Sequence, residues 1–306
     1  MNLLIIKLGA TGDVVRTTPL MHRFPGCATW ITEAKNKPLL EGVRDNLRCF
    51  SWEDRNEALD LRYDLAINLE DTMDASLFLK SVQCNEIFGA YVDSANLLRY
   101  TKNSASWFDL SLLSAYGKEE ADKLKFLNRR TYQDMIFAGL GFQFAGETYF
   151  LPQPIETGLS GDVAIAADSG PVWPMKKWAH YVELKDKLED EGLSVNVLPT
   201  RSSLREHLAD VRNHRCLVGG DSLPMHFALG TQTHCVTLFT CTSPWEIYEY
   251  GIQRKILSSR LGEFFYQRGY NERATSAIAL VEVKDAVMAQ LQSTKPARTL
   301  SSAALS

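Results

Sequence analysis

Residues 3–15 read LLIIKLGATGDVV. Leu3, Leu4, Ile5 and Ile6 make a short unbroken apolar run, the pattern of a strand covered on both faces rather than one. Gly9 and Gly12 interrupt the chain, and a helix is expected from Asp13 to about Arg23. Strand, glycine turn and helix is the opening unit of a parallel α/β sheet. The same alternation continues outward. Strands are expected at Ala28–Thr32 and at Tyr63–Leu69, the second followed at once by Glu70 and Asp71. The stretch from Ser106 to Gly141 reads as mostly helical, with Leu124, Leu127, Met135 and Ile136 on an amphipathic pattern.

A loop with Pro152, Pro154, Gly158 and Gly161 then marks a domain boundary. Beyond it the alternation resumes. Strands are expected at Val163–Ala166, Ser194–Leu198, Cys216–Val218 and Cys235–Phe239. Helices are expected at His180–Glu191, Ser203–Arg212, Pro224–Leu229 and Val281–Leu291. The reading is therefore an α/β protein of two domains, 1–155 and 156–292, followed by a small polar tail, 293–306, expected to be disordered. Two sheets of this kind are expected to face one another across a cleft at the carboxyl ends of their strands.

Composition narrows the function. The chain has 306 residues, enough for two cores, with 45% hydrophobic and 23% charged residues. A net charge of −4 argues against a nucleic-acid-coating protein. No apolar stretch is long enough to span a bilayer, and the N-terminus, with Lys7 directly after four apolar residues, does not read as a signal peptide. Cys27, Cys49, Cys84, Cys216, Cys235 and Cys241 form no paired spacing, so reduced thiols are expected and a zinc site is not. The expected location is the cytoplasm, with peripheral contact at the inner face of a membrane left open.

Four segments carry candidate chemistry. In Lys7-Leu-Gly-Ala-Thr-Gly-Asp13, the glycines allow close approach of a ligand, and Asp13 in the first helical turn is a candidate general base. Alternatively Asp13 caps the helix or pairs with Arg16. In Trp173-Pro-Met-Lys-Lys-Trp178, Lys176 or Lys177 could neutralise a diphosphate, or both could be solvated. In Gly219-Gly-Asp-Ser-Leu-Pro-Met-His226, a strand ends at two glycines and a helix opens near Pro224. Asp221 and Ser222 are natural helix caps there, and a helix N-terminus with a hydroxyl and an imidazole also suits a phosphate or sugar. In Thr240-Cys-Thr-Ser-Pro-Trp245, the loop after a strand could wall a donor pocket, or Ser243 could simply cap a following helix. Glu70, Asp71 and Asp74 follow a strand of the first domain and could face an acceptor or water.

Taken together these segments resemble the heptosyltransferases of glycosyltransferase family 9. The family opens with a strand, a lysine and Gly-Asp at the head of the first helix, here Lys7 and Gly12-Asp13. Its Lys-Trp segment is similar to Lys177-Trp178, without the following proline. Its Asp-(Ser/Thr)-Gly-x-x-His motif is similar to Asp221–His226, and Phe239–Pro244 resembles the loop that follows. Tyr63–Asp71 also looks familial, so the resemblance runs from residue 1 to about 250. Two departures stand out. Leu223 replaces the usual glycine, and the 199–215 segment is short and lacks an evident acidic residue for the donor ribose.

The resemblance implies a GT-B fold, two Rossmann-like α/β/α domains, the first on the acceptor side and the second binding the nucleotide sugar. It implies an inverting, metal-independent transfer of a sugar, a heptose from ADP-heptose, to a hydroxyl acceptor in glycan or lipopolysaccharide biosynthesis. No cofactor is implied beyond the donor itself. The partners implied are a nucleotide-sugar donor and a glycan, lipid-linked or small-molecule acceptor, with no nucleic acid. Asp13 is implied as the base. Donor contacts are implied for Thr11, Gly12, Lys177, Thr200, Asp221, Ser222, Leu223, Pro224, His226 and Thr240. Acceptor contacts are implied for Arg16, Glu70 and Asp71.

A nicotinamide-dependent short-chain reductase or epimerase competes. Gly9-Ala-Thr-Gly12 resembles its opening turn, Glu33 lies where a ribose partner would, and Tyr181 with Lys185 mimics its catalytic pair. Against it, Val15 occupies the third glycine's place. A non-catalytic nucleotide-sugar-binding relative is a further reading. A Ser/His/Asp hydrolase using Ser222 lacks a G-x-S-x-G elbow.

Overall fold

The computed structural model describes residues 1–294, so positions 295–306 of the expected tail lie outside the described residues. The chain divides into two compact units. One comprises Met1–Gln153 with Ser243–Tyr248, the other Pro154–Thr242 with, among the described residues, 249–294.

The first unit contains β1 (Leu3–Ile6), α1 (Thr11–Thr17), β2 (Ala28–Thr32), β3 (Leu47–Ser51), β4 (Arg62–Asn68), α2 (Met73–Ser81), β5 (Gln83–Val92), β6 (Leu98–Tyr100), α3 (Ala105–Phe108), α4 (Lys118–Leu127) and α5 (Tyr132–Gly139). Its six strands run in the order β3-β2-β1-β4-β5-β6, parallel except for the last pair. The apolar run of β1 is explained by its two faces. Leu3 and Ile5 enter a core with Trp30, Ile67 and Ile136, while Leu4 and Ile6 enter a separate one with Ile31, Phe78 and Leu79. A strand with a core on each side has no place for alternating polar residues.

The second unit contains β7 (Gly161–Ala166), α6 (Tyr181–Asp190), β8 (Val195–Val197), α7 (Leu204–Arg212), β9 (His214–Gly220), α8 (Leu223–Thr231), β10 (His234–Phe239), β11 (Gln253–Leu257), α9 (Leu261–Phe264), α10 (Glu272–Thr275) and α11 (Leu280–Gln292). Its strands are all parallel, in the order β11-β10-β9-β7-β8. Val163 and Ile165 of β7 pack with Trp178, Leu184, Val236 and Val283 in one core.

The expected strands and helices are present, and their ends move. The first helix stops at Thr17, and Thr18–Arg23 is a 3₁₀ segment. Pro19 explains the change, because it lacks the N–H that would continue the α-helical ladder, although Thr18 before it keeps α-helical angles. Four strands escape the periodic reading, β3, β5, β6 and β11. Each mixes polar and apolar residues, as in LRCFS and QRKIL, and β3 and β11 are sheet edges with little apolar burial to enforce a pattern. No helix follows Ser243, so it caps nothing. That loop instead leaves the second unit and becomes part of the first.

Topology decides where ligands belong. In an open parallel sheet, the chain leaves neighbouring strands toward opposite sides at one point, and a crevice opens at their carboxyl ends. In the first unit that point lies between β1 and β4, and in the second between β7 and β9.

Candidate functional site

Around the β1/β4 point of the first unit stand Lys7, Asp13, Arg16 and Glu70. Lys7 follows β1 and is buried, and its ammonium donates to Glu70, which follows β4, at 2.7 Å. The Leu8 N–H donates to the same carboxylate oxygen at 2.9 Å. Burial alone would lower the Lys7 pKa, but Asp13 and Glu70 outweigh it and raise it, so Lys7 is a fixed cation. Glu70 is thus held inward by Lys7, whereas Asp71 is exposed.

Asp13 lies in the first turn of α1, and its carboxylate forms an ion pair with Arg16, 2.9 Å from Nε. The pairing anticipated as the alternative for Asp13 is present, yet the side chain stays one-third exposed, open to a proton donor. The Arg16 guanidinium is itself buried. It lies 4.2 Å above the Tyr132 ring and 5.6 Å from that of Trp107, with Nη1 3.7 Å from Glu246. The Tyr132 hydroxyl meets Thr17 at 2.7 Å, and burial raises its pKa. Thr11 donates to Asn36 at 2.8 Å, which occupies its hydroxyl hydrogen locally, and Gly12 adds no side chain to the turn.

Around the β7/β9 point of the second unit, a 3₁₀ turn (Pro174–Lys176) after β7 delivers Lys176. Its ammonium donates to the Asp221 backbone oxygen at 2.6 Å and to its carboxylate at 3.0 Å. Burial would raise the Asp221 pKa, but Lys176 and His226, with hydrogen bonds from Lys176 and Thr242, bring it down to about 2. His226 is buried on α8. Thr240, at the end of β10, donates to the Met175 carbonyl at 2.6 Å and so pins the lysine's turn. The two glycines that end β9 make this packing feasible. A Cβ on Gly219 would stand 3.0 Å from that of Ala166, and one on Gly220 2.9 Å from the Lys176 carbonyl oxygen.

Ser222 occupies the N-cap position of α8 without bonding a helix N–H, and its hydroxyl donates to the Gly220 carbonyl at 3.4 Å. Its expected capping role is therefore not realised. Leu223 and Pro224 form the first turn of α8, half-buried.

The structure brings together Asp221, Ser222, His226 and Thr240, and with them Lys176 rather than Lys177. Lys177 is exposed and reaches only Asp168, at 3.5 Å. A one-residue step along the 3₁₀ turn separates the two lysines, and only tertiary packing chooses between them. Thr200 is exposed on the loop after β8. In the 199–215 segment, Asp210 is fully buried and bonded to Arg201 at 2.7 Å and to Thr157, so it serves the fold. Glu206 lies in the first turn of α7.

The residues the sequence reading missed are Glu246, Tyr132 and Trp107 beside Arg16, and Lys125 beside Glu246. Glu246 stands one position beyond the Thr240–Trp245 segment, and nothing local ties it to α1. Among the described residues, no group of three or more His, Cys, Asp or Glu side chains is arranged to hold a metal, and no helix is long and apolar enough to cross a membrane.

The reductase reading does not fit this geometry. Tyr181 lies in the core of the second unit, its hydroxyl has no partner, and burial raises its pKa. Catalysis would need the opposite shift and an open face. Lys185 pairs with Glu189 at 2.5 Å. Glu33 does follow β2, but Val15 is buried in α1 where a third glycine would be needed.

Residues 172–269 match the model of glycosyltransferase family 9 (heptosyltransferase). No curated protein matches the chain. Several solved structures share the fold. E. coli heptosyltransferase WaaC with ADP-2-deoxy-2-fluoro heptose is 14% identical with a TM-score of 0.60, covering 94% of this chain and 99% of that one. E. coli ADP-heptose lps heptosyltransferase II is 17% identical with a TM-score of 0.64, covering 96% and 99%. A glycosyl transferase family 9 protein of Veillonella parvula is 14% identical with a TM-score of 0.66, covering 96% and 97%.

Proposed function

We propose that this chain, a heptosyltransferase-like glycosyltransferase of GT-B fold, moves a heptose from ADP-heptose to a hydroxyl of a glycan acceptor with inversion. The observation that carries the reading is a coincidence of two findings. The matched span, 172–269, contains Lys176, Gly219–His226 and Thr240, and these residues meet at the topological switch point of their sheet. The second unit is the donor domain in this proposal, and the first unit serves the acceptor.

The mechanism follows from what each cluster can do. The acceptor hydroxyl attacks the anomeric carbon, and its proton passes to the Asp13 carboxylate. The anomeric C–O bond to the diphosphate breaks through an oxocarbenium-like transition state, and the electron pair leaves on the phosphate oxygen. One displacement inverts the centre. The developing charge is met by Lys176 and by the positive end of α8, without need of a metal. Asp221 holds Lys176 in place through two contacts, and His226 lines the same turn. Arg16 orients Asp13, while Glu70 and Asp71 lie on the acceptor side. The acceptor of the family expectation is the lipopolysaccharide core, reached in the cytoplasm at the inner face of the membrane.

The experiment combines thermal shift with turnover. ADP at 100-fold its Kd should stabilise the protein by about 2.7 kcal/mol, with no comparable shift from UDP, GDP or dTDP. Asp13→Asn should keep that ADP-induced shift while lowering ADP release from ADP-heptose by about 10²–10⁴-fold. Release should persist in EDTA. Stabilisation by UDP or GDP alone would overturn the donor assignment. Full turnover in Asp13→Asn would overturn the base.

A further inference from the structure

We propose that Glu246 is a positioning residue for transfer, one that shares the Arg16 guanidinium with Asp13 and thereby keeps the Asp13 carboxylate a competent base. The inference rests on the reading of Asp13 given above and extends it to a residue outside every motif of the sequence.

Glu246 belongs to Ser243–Tyr248, the short segment that is part of the first unit although the chain on either side of it is not. The segment is clamped there by aromatic and backbone contacts. Trp245 lies under the Arg129 guanidinium at 3.6 Å and edge-on to Phe126 at 6.1 Å. Tyr248 meets Phe144 edge-on at 5.0 Å. The Tyr132 N–H donates to the Glu246 carbonyl oxygen at 2.9 Å. The backbone is held at the residue whose side chain turns inward.

That side chain is 3% exposed. One of its carboxylate oxygens, Oε1, has no hydrogen-bond partner. Its compensation is ionic, from Arg16 Nη1 at 3.7 Å and Lys125 Nζ at 4.0 Å. A buried carboxylate is unfavourable without such partners, and this one is retained where its charge acts on Arg16.

The charged and titratable groups facing the cluster come from several elements. Lys7 and Glu70 pair after β1 and β4. Asp13 and Arg16 pair along α1. Lys125 reaches in from α4 and the Tyr132 ring from α5. Each buried cation here has a carboxylate, and Arg16 has two. If Glu246 lost its charge, Arg16 would act more strongly on Asp13. The cation and the missing anion would both favour ionised Asp13, and its pKa would fall. A weaker base accepts the acceptor's proton less readily. Removing the Lys125 charge has the opposite sign, because Glu246 is then left to Arg16 and a nearby cation is gone.

The test is a carboxylate titration of the full chain labelled with ¹³Cγ-aspartate, the Asp13 signal being assigned by its loss in Asp13→Asn. Glu246→Gln should lower the Asp13 midpoint by about one pH unit, a ten-fold change in its protonation equilibrium. Lys125→Met should raise it. Glu246→Asp should restore most of the native value. Turnover of ADP-heptose by Glu246→Gln should fall about ten-fold in kcat with an unchanged KM. A packing role alone would lower the melting temperature of both variants and leave the midpoint in place. An unmoved midpoint in Glu246→Gln and Lys125→Met would overturn the inference. Should Glu246→Gln not fold, Lys125→Met, whose side chain is partly exposed, decides it. Full turnover by Asp13→Asn would refute the base assignment, a result separate from either titration.

Discussion

Lys176 and Lys177 are adjacent and chemically identical, yet their environments differ in kind. Lys176 is held by two oxygens of Asp221, while Lys177 has one exposed partner at 3.5 Å. A charged hydrogen bond in a partly buried site contributes about 1.5–3 kcal/mol, and an exposed pair about 0–1 kcal/mol. Lys176→Ala should therefore weaken ADP binding roughly 10- to 100-fold and Lys177→Ala less than about five-fold, as isothermal titration would show. Asp221 carries the matching pH signature. Its pKa is depressed in the fold from 3.8 to about 2. A depressed carboxylate adds stability above its unfolded pKa and loses it as pH falls toward the folded one. Urea unfolding of Asp221→Asn should thus depend less on pH between about 4 and 2, the difference being on the order of 2 kcal/mol. The Asp-Ser-x-Pro-x-His grouping was legible in the sequence because its members are near neighbours. The Asp221–Lys176 pair was not, since 45 positions separate them.

At the scale of elements, the ends of β7 and β9 are the decisive pieces. β9 is paired to β7 with Ala166 opposite Gly219, and the small residues let the Lys176 turn pass over the strand ends. Gly220→Ala would place a Cβ 2.9 Å from the Lys176 carbonyl oxygen, and backbone rather than a flexible tip must give way. The variant should lose about 1–3 kcal/mol of stability and weaken ADP binding, measured by thermal shift with and without ADP. Gly141→Ala has open space around its Cβ but a φ of +80°, so it should destabilise without touching nucleotide affinity. The strand β1 and the apolar stretches of β7 and β10 could be read from composition, because burial on two faces favours apolar residues. β3 and β11 could not, because an edge strand is ordered by its neighbour's hydrogen bonds and not by its own pattern.

For the whole molecule, the cysteines report each unit separately. All six are free. Cys27 is exposed in the first unit, while Cys216, Cys235 and Cys241 are buried in the second. Burial pushes the Cys235 thiol up to about 12 and raises that of Cys216 as well. Labelling with a thiol-reactive disulfide should modify Cys27 at once and those three only when the second unit opens. Saturating ADP should slow the second phase and leave the first unchanged. Rapid labelling of Cys216 or Cys235 in the native protein would contradict the packing of β9 and β10.

Sequence alone determined the two-sheet α/β class, and it marked the segments after strands on which the proposed function rests. These follow from local rules, since burial on two faces demands apolar runs, turns demand glycine, and helix starts carry their own signals. Tertiary structure alone decided which lysine meets Asp221, that Tyr181 is core, and that Ser243–Tyr248 joins the first unit and carries Glu246 to Arg16. The reason is that electrostatic and packing partners are set by distance in space. Glu246 lies 230 positions from Arg16 along the chain but 3.7 Å from it in the fold, and no local pattern encodes that proximity.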